Sequence, residues 1–497
     1  GMVLQRGMKC PVWGSADPGE IVSVSFAATK GNAAIAVSAS VNAGKNGKWR
    51  IDIQIAPEMA GGPYQLVIKG NNTITLKDVY VGEVWICSGQ SNMEFHLSSA
   101  HNAKEAIAKA KNPKIRLFTV PRNTSDKPLT GFKEQPKWQE CNADTAKNFT
   151  AVGYFFGRDL QKALNVPIGL IHTSWGGTRA EAWATRAALE KNPELKDMIE
   201  QYNKDRVSAS ANYQKTLKQY EADLAKHKKA VAKAKEEGKQ PPRPPRRPFS
   251  PDDNPHRPAV LYNAMIHPLQ PYAIKGAIWY QGESNAGRAY QYRTLFPTMI
   301  QSWRTSWKEG DFPFLFVQLA PWIEKRDKSD QTWAELREAQ LLTTTKLKHT
   351  GMAVITDVGD AKDIHPRKKE PVGARLALAA RAIAYGEKIE YSGPIYKSMT
   401  VEGDKAVLSF THMGKGLEVK GESLQGFTVA GEDHAFHPAQ AEIKGDKVVV
   451  RSEKVAKPVA VRYGWSNNPV VNLWNKDGLP ASPFRTDDFP GVTAPKP

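Results

Sequence analysis

Four short segments of this 497-residue chain carry residue types that acyl-transfer chemistry uses. In Val84–Met93 (VWICSGQSNM) an apolar strand runs into Gly89, then Ser91, then a helix start. A serine at that junction projects from the carboxyl end of the strand, and the helix N-terminus stabilises negative charge beside it. The segment lacks the second glycine of a G-x-S-x-G elbow, and serine is also a favoured helix N-cap, so Ser91 suits either role. In Ile171–Arg179 (IHTSWGGTR) the pair Gly176 and Gly177 lets backbone N–H groups approach a ligand closely, as an oxyanion hole requires; an ordinary turn uses the same residues. In Ile278–Asn285 (IWYQGESN), Gln281, Glu283 and Asn285 crowd a strand end and offer amide donors to an oxyanion, although Asn and Ser also serve turns. In Val358–Pro366 (VGDAKDIHP), His365 follows a strand with carboxylates at hand. A base that accepts a serine proton needs such a group to fix its tautomer. Pro366 disfavours the α region for His365, and in an extended segment residues i and i+2 share a side. Asp363 is therefore the expected orienting acid, while Asp360 needs a loop to bring it back. His172 is the rival base, but it lies inside an apolar run and reads as core.

The elements that must position these groups follow from patterning. Residues 1–80 read as short alternating strands, such as Glu20–Phe26 and Trp49–Ile55, separated by Gly and Pro turns, which suggests a β-sandwich-like domain. Apolar runs then recur at Val81–Cys87, Ile115–Val120, Ile168–Trp175, Ala273–Tyr280, Phe314–Leu319 and Met352–Val358, with helical stretches such as Ala151–Ala163 between them. That rhythm implies a parallel sheet buried on both faces, within a domain over 81–392. Sites in such sheets gather at the carboxyl ends of the strands, where all four segments fall. The stretch 192–257 interrupts the rhythm with a Lys/Glu/Ala-rich helical pattern and the Pro-rich return Pro241–Pro248, and is expected to form a helical hairpin. Short strands resume over 393–497 as a C-terminal β domain.

Composition narrows the class. With 40% hydrophobic and 24% charged residues the chain builds large cores, and its length suits about three domains. No run approaches the roughly 20 apolar residues of a membrane span. Cys10, Cys87 and Cys141 are too few for a disulfide scaffold or a Cys-rich zinc site. The net charge of +18 invites a nucleic-acid reading, yet 15 Lys and Arg against 8 Asp and Glu lie between Lys191 and Arg247, with no nucleic-acid motif beside them. A solvated basic face, or loose attraction to acidic glycans, accounts for the excess.

Taken together, Gly89-Gln-Ser91-Asn-Met, Ser174-Trp-Gly176-Gly-Thr, Trp279-Tyr-Gln281-Gly-Glu-Ser and Asp363-Ile-His365-Pro resemble the sialate O-acetylesterases and related carbohydrate acetylesterases of the SGNH-hydrolase superfamily. Gly1-Met-Val-Leu-Gln-Arg6, Val12-Trp-Gly, Gly47-Lys-Trp, Ala60-Gly-Gly-Pro-Tyr and Gly82-Glu-Val-Trp extend the likeness through the first domain, so it covers most of the chain outside 192–257. The resemblance implies a flavodoxin-like α/β/α core with a parallel sheet, no metal or other cofactor, and removal of O-acetyl groups from glycans. It implies Ser91 as nucleophile, His365 as base, and the Ser91 N–H, the Gly176/Gly177 backbone and Gln281 as oxyanion donors. The wider superfamily places its Asp three residues before the His, whereas here Asp363 is two before and Asp360 five before. Its usual Asn donor block is replaced by Gln281-Gly-Glu-Ser, as in this subfamily.

The resulting expectation is a serine esterase acting on acetylated sialic acid or acetylated xylan through an acetyl-enzyme on Ser91. The alternative from another class is a non-catalytic glycan-binding protein, whose two β modules would flank a polar cleft. Glu283, Asn285 and Arg179 are candidate substrate contacts. Arg179 suits a sugar carboxylate, or equally an internal ion pair with Glu181 or Glu283. Neither nucleic acid nor a membrane span is expected as partner. Export to the periplasm or beyond is expected from the resemblance, with a leader removed ahead of Gly1.

Overall fold

Six parallel strands form the centre of the computed structural model, which describes residues 1–30, 33–248 and 250–495, and the side chains of all but 27–30 and 33–36 among these. They are β1 (Thr73–Gly89), β2 (Asn112–Thr119), β3 (Ile168–Ser174), β4 (Gly276–Tyr280), β5 (Phe314–Val317) and β6 (Thr350–Ala353), in spatial order 2-3-1-4-5-6. Each of the six apolar runs read from the sequence contributes one strand. A flavodoxin-like order would be 2-1-3-4-5. Here the chain leaves β1 for a place two positions away, and β3 returns to fill the gap between β2 and β1.

Side chains alternate across the sheet, and this sorts the helices into two layers. From β1, Trp85 meets Phe156 of α2 (Ala151–Leu164) edge-on at 5.2 Å and donates to Tyr385 of α6 (Glu370–Tyr385) at 3.1 Å. Trp279 of β4 points the other way, with Trp303 of α4 (Ala289–Trp307) at 6.0 Å. The helix α5 (Thr332–Lys346) packs beside α4.

The first domain joins this sheet directly. The start of β1 pairs with Gly61–Lys69, and its end, from Glu83, pairs with β3 and β4. The boundary expected at 80/81 thus lies within one continuous strand. Beyond the core, Arg337 of α5 is wholly buried and donates to the carbonyls of Ser466 and Asn467, fastening the C-terminal module.

The insertion differs from the expected helical hairpin. Between the one-turn α1 (Ser91–Glu94) and α4 stands α3 (Pro193–Glu236), a single helix of 44 residues, roughly 66 Å long at 1.5 Å per residue. Five prolines between 241 and 248 forbid a second helix, so the chain returns extended. Lys239 N–H caps the Ala234 carbonyl at 2.8 Å, and His227 Nε2 bonds the Pro242 carbonyl at 2.9 Å. His227 belongs to a half-buried stripe at three- and four-residue spacing: Tyr213, Leu217, Tyr220, Leu224, His227 and Val231. Phe249 of the return, and Lys496 and Pro497, lie outside the described residues.

Candidate active site

Gly89, Ser174 and Tyr280 stand level at the carboxyl ends of β1, β3 and β4. The segments that follow them therefore emerge side by side. At Gly89 φ is +139°, and a Cβ there would fall 2.2 Å from the Tyr280 carbonyl oxygen, so only glycine turns the chain at this point. Gln90 then takes the N-cap position of α1. Ser91 is not the cap; its hydroxyl turns outward, and Oγ lies 2.8 Å from Nε2 of His365. With Nε2 accepting the serine proton, the Nδ1 of His365 carries the hydrogen.

His365 stands on the loop between β6 and α6, where the chain bends ahead of Pro366. Asp363 accepts the His365 backbone N–H at 2.9 Å, and its carboxylate is 3.7 Å from Nδ1. Asp360 instead accepts the Lys362 N–H at 2.9 Å. Burial, and then the Lys369 charge, hold the imidazole below the ordinary histidine value, with Asp363 opposing them. His172 is core: it is buried, bonded to Ser174 Oγ at 2.6 Å, and burial drives its pKa down to about 3.

Gly176 packs on the nucleophile, since a Cβ added there would meet the Ser91 Cβ at 3.3 Å. Its N–H donates to Glu94 Oε2 at 2.5 Å, and Glu94 in turn pairs with Arg122. Among the described residues, nothing accepts the Ser91 N–H or the Gly177 N–H.

The polar cluster after β4 faces inward. Both amide hydrogens of Gln281 are engaged, by the Thr178 carbonyl at 3.3 Å and Asn285 Oδ1 at 2.7 Å. Asn285 also accepts from the Ala180 N–H and donates to Glu181, tying the turn after β3 to that after β4. Glu283 accepts from Asn92 at 2.6 Å, while its second oxygen is buried without a partner. Gln281 thus aims no free donor at Ser91, and Glu283 and Asn285 act within the scaffold. Residue types alone carry no information about which way a polar group at a strand end turns.

Arg179 remains exposed, and among the described residues no hydrogen bond or ion pair engages its guanidinium. Glu181 is committed to Arg288 and Asn285, and Glu283 to Asn92, so neither internal partner considered for Arg179 takes it. His256 lies near enough for the Arg179 charge to lower its pKa, after burial.

Three contributors escaped the sequence reading: Glu94, Asn92 and Lys369. Asn92 sits inside the Ser91 block and donates to the Ile364 carbonyl at 3.0 Å, linking the nucleophile's turn to the histidine's. Lys369 ends a basic run that reads as solvated surface, yet it is 1% exposed. Cys10, Cys87 and Cys141 are free and buried, and among the described residues no group of His, Cys, Asp or Glu is arranged to hold a metal ion. No helix among them is long and apolar enough to cross a membrane.

Comparison with known proteins gives the family. The sequence model of the family "Carbohydrate esterase, sialic acid-specific acetylesterase" matches residues 81–233 and 253–381. Mouse sialate O-acetylesterase is 31% identical over 97% of this chain and 92% of its own length. The human enzyme is 29% identical over 99% of this chain and 92% of its own. The crystal structure of a carbohydrate acetylesterase from Xanthomonas citri superposes with a TM-score of 0.81 at 41% identity, covering 98% of this chain and 97% of that one. A serine–histidine pair at the strand ends and relatives matched along nearly the whole chain lead to one assignment: the chain belongs to the sialic acid-specific acetylesterase family of carbohydrate esterases and is a carbohydrate O-acetylesterase.

Proposed function

We propose that the enzyme works as an SGNH-type serine esterase through an acetyl-enzyme on Ser91. The observation that carries this reading is the 2.8 Å contact between Ser91 Oγ and His365 Nε2. His365 takes the hydroxyl proton as Oγ bonds the acetyl carbonyl carbon, then gives it to the sugar oxygen as the ester C–O bond breaks. Water, deprotonated by the same imidazole, releases acetate and frees Ser91. The unclaimed Ser91 and Gly177 N–H groups are the oxyanion donors this reading uses, with the N-terminus of α1 behind them. Asp363 orients the imidazole. Ser91→Ala tests the mechanism: kcat should fall by roughly 10³-fold or more with the fold retained, and the acetyl group should be trapped on Ser91 in the wild type. Full activity in the alanine variant refutes it.

For the substrate, the unpaired Arg179 favours an acetylated sugar that carries a carboxylate, such as sialic acid, over neutral acetylated xylan. Acetate release from the two substrates decides the point. Arg179→Met should raise KM for the acidic sugar by about tenfold and leave the neutral one unchanged. Equal effects on both would reject a carboxylate contact. Export from the cytoplasm accords with an extended glycan substrate and follows from the same reading.

A further inference from the structure

Behind the reacting pair, Lys369 is buried among groups from the segment that follows β1 and from the end of β4. Its Nζ donates to Asn92 Oδ1 and lies 4.8 Å from the Phe95 ring and 5.2 Å from the Tyr280 ring. That bond fixes which way the Asn92 amide points. With Oδ1 held by the ammonium, Nδ2 is directed to Glu283 Oε1 at 2.6 Å and to the Ile364 carbonyl at 3.0 Å. Asn92 directly follows Ser91, and Ile364 directly precedes His365. A flipped amide would set its oxygen against a carbonyl and its nitrogen against an ammonium, so Lys369 specifies the bridge between the two turns.

The same side chain also acts by charge. The charged groups acting on His365 are Lys369 and Asp363. Burial brings the Lys369 pKa down to about 7 against the pull of Glu283 and Asp363, so Lys369 carries its charge in the acid range where the imidazole would take up a proton. A cation in this place opposes protonation of the imidazole and favours the neutral form that accepts a proton.

We propose that Lys369 is a positioning residue for the esterase reaction: through Asn92 it locks the turn bearing Ser91 to the turn bearing His365. This rests on the serine–histidine reading above. The bond and the charge are separable. Lys369→Met removes both, while Lys369→Gln keeps an N–H donor for Asn92 without the charge.

The test is the pH profile of both variants on a small acetate ester, after circular dichroism shows native folding. Lys369→Met should lower kcat by about tenfold with KM within about twofold, because the reacting atoms lose their register. Its acid limb in kcat/KM should move to higher pH, since the repulsion is gone. Lys369→Gln should show the same limb shift and recover most of the lost kcat. An acid limb that stays in place in either folded variant overturns the electrostatic role. A kcat loss of the same size in both overturns the role of the Asn92 bond. Activity surviving Ser91→Ala would instead remove the reading on which the proposal rests, a separate outcome measured in a separate variant.

Discussion

Asp363 accepts the backbone N–H of His365 at 2.9 Å and holds its carboxylate 3.7 Å from that residue's Nδ1. The separation is beyond a hydrogen bond, and Asp363 is about half exposed, so the carboxylate acts by charge and by fixing the turn. Asp363→Asn should therefore lower kcat by about tenfold, well short of the roughly 10⁴-fold effect of a buried triad acid, with little change in KM. Asp360→Asn should do much less. Steady-state kinetics in which Asp360→Asn is the crippled variant would reverse the assignment.

The histidine sets the low-pH limit of the reaction. Its folded-state pKa is depressed by burial first and by Lys369 second, so the proton-accepting form persists to lower pH than in a free imidazole. The value of kcat/KM should fall as pH drops through a midpoint below about 6.5, the ordinary histidine value. A midpoint at or above that value in the wild type would contradict the burial.

Close packing against the nucleophile makes Gly176 sensitive. A Cβ there would meet Ser91 Cβ at 3.3 Å and Glu94 Oε2 at 3.1 Å. Gly176→Ala should reduce kcat by about tenfold or more while leaving the melting temperature nearly unchanged, because the crowding falls on the reacting atoms.

Gly89→Ala should fail differently. Its positive φ and a Cβ 2.2 Å from a backbone oxygen combine conformational strain with a clash that no side chain can relieve. A loss of at least about 2 kcal/mol in stability, measured by denaturant unfolding, is expected.

Among the described residues, α3 and the segment 237–248 contribute no group to the serine–histidine pair. Leu195 and Ile199 are buried at the root of α3, and Arg206 pairs with Asp252 there, so a clean excision lies beyond them. Replacing 210–247 with a short Gly/Ser linker should leave hydrolysis of small acetate esters within about tenfold, since loop closure costs little. Loss of small-ester turnover in a folded variant would show that the helix shapes the cleft.

The central sheet was legible because a strand buried on both faces reads as an unbroken apolar run, as at Ile168–Ser174. The meeting of Ser91 and His365 was legible because both follow strands of one sheet, whereas Asp363 meets the His365 N–H through a bend that the extended reading ahead of Pro366 did not describe. Partners set by the direction of a side chain were not legible. Gln281 and Asn285 have the right chemistry for substrate and spend it on each other, and Lys369 is indistinguishable in sequence from the exposed Lys368 beside it. The continuity of β1 was hidden by Lys77 and Asp78, polar residues that look like a turn and lie within the strand. The prolines marked a return without revealing that it would be extended along α3 rather than helical.

Because one strand serves two sheets' worth of partners, the first domain and the catalytic core share a covalent and hydrogen-bonded spine. The residues that pair with Gly61–Lys69 lie on the same strand that delivers Ser91, with no linker between. A recombination joint at 80/81 would sever that strand in mid-ladder. The two regions should therefore melt in one transition and be inherited as one unit, and the N-terminal β domain is better regarded as an anchor for the nucleophile than as a detachable accessory.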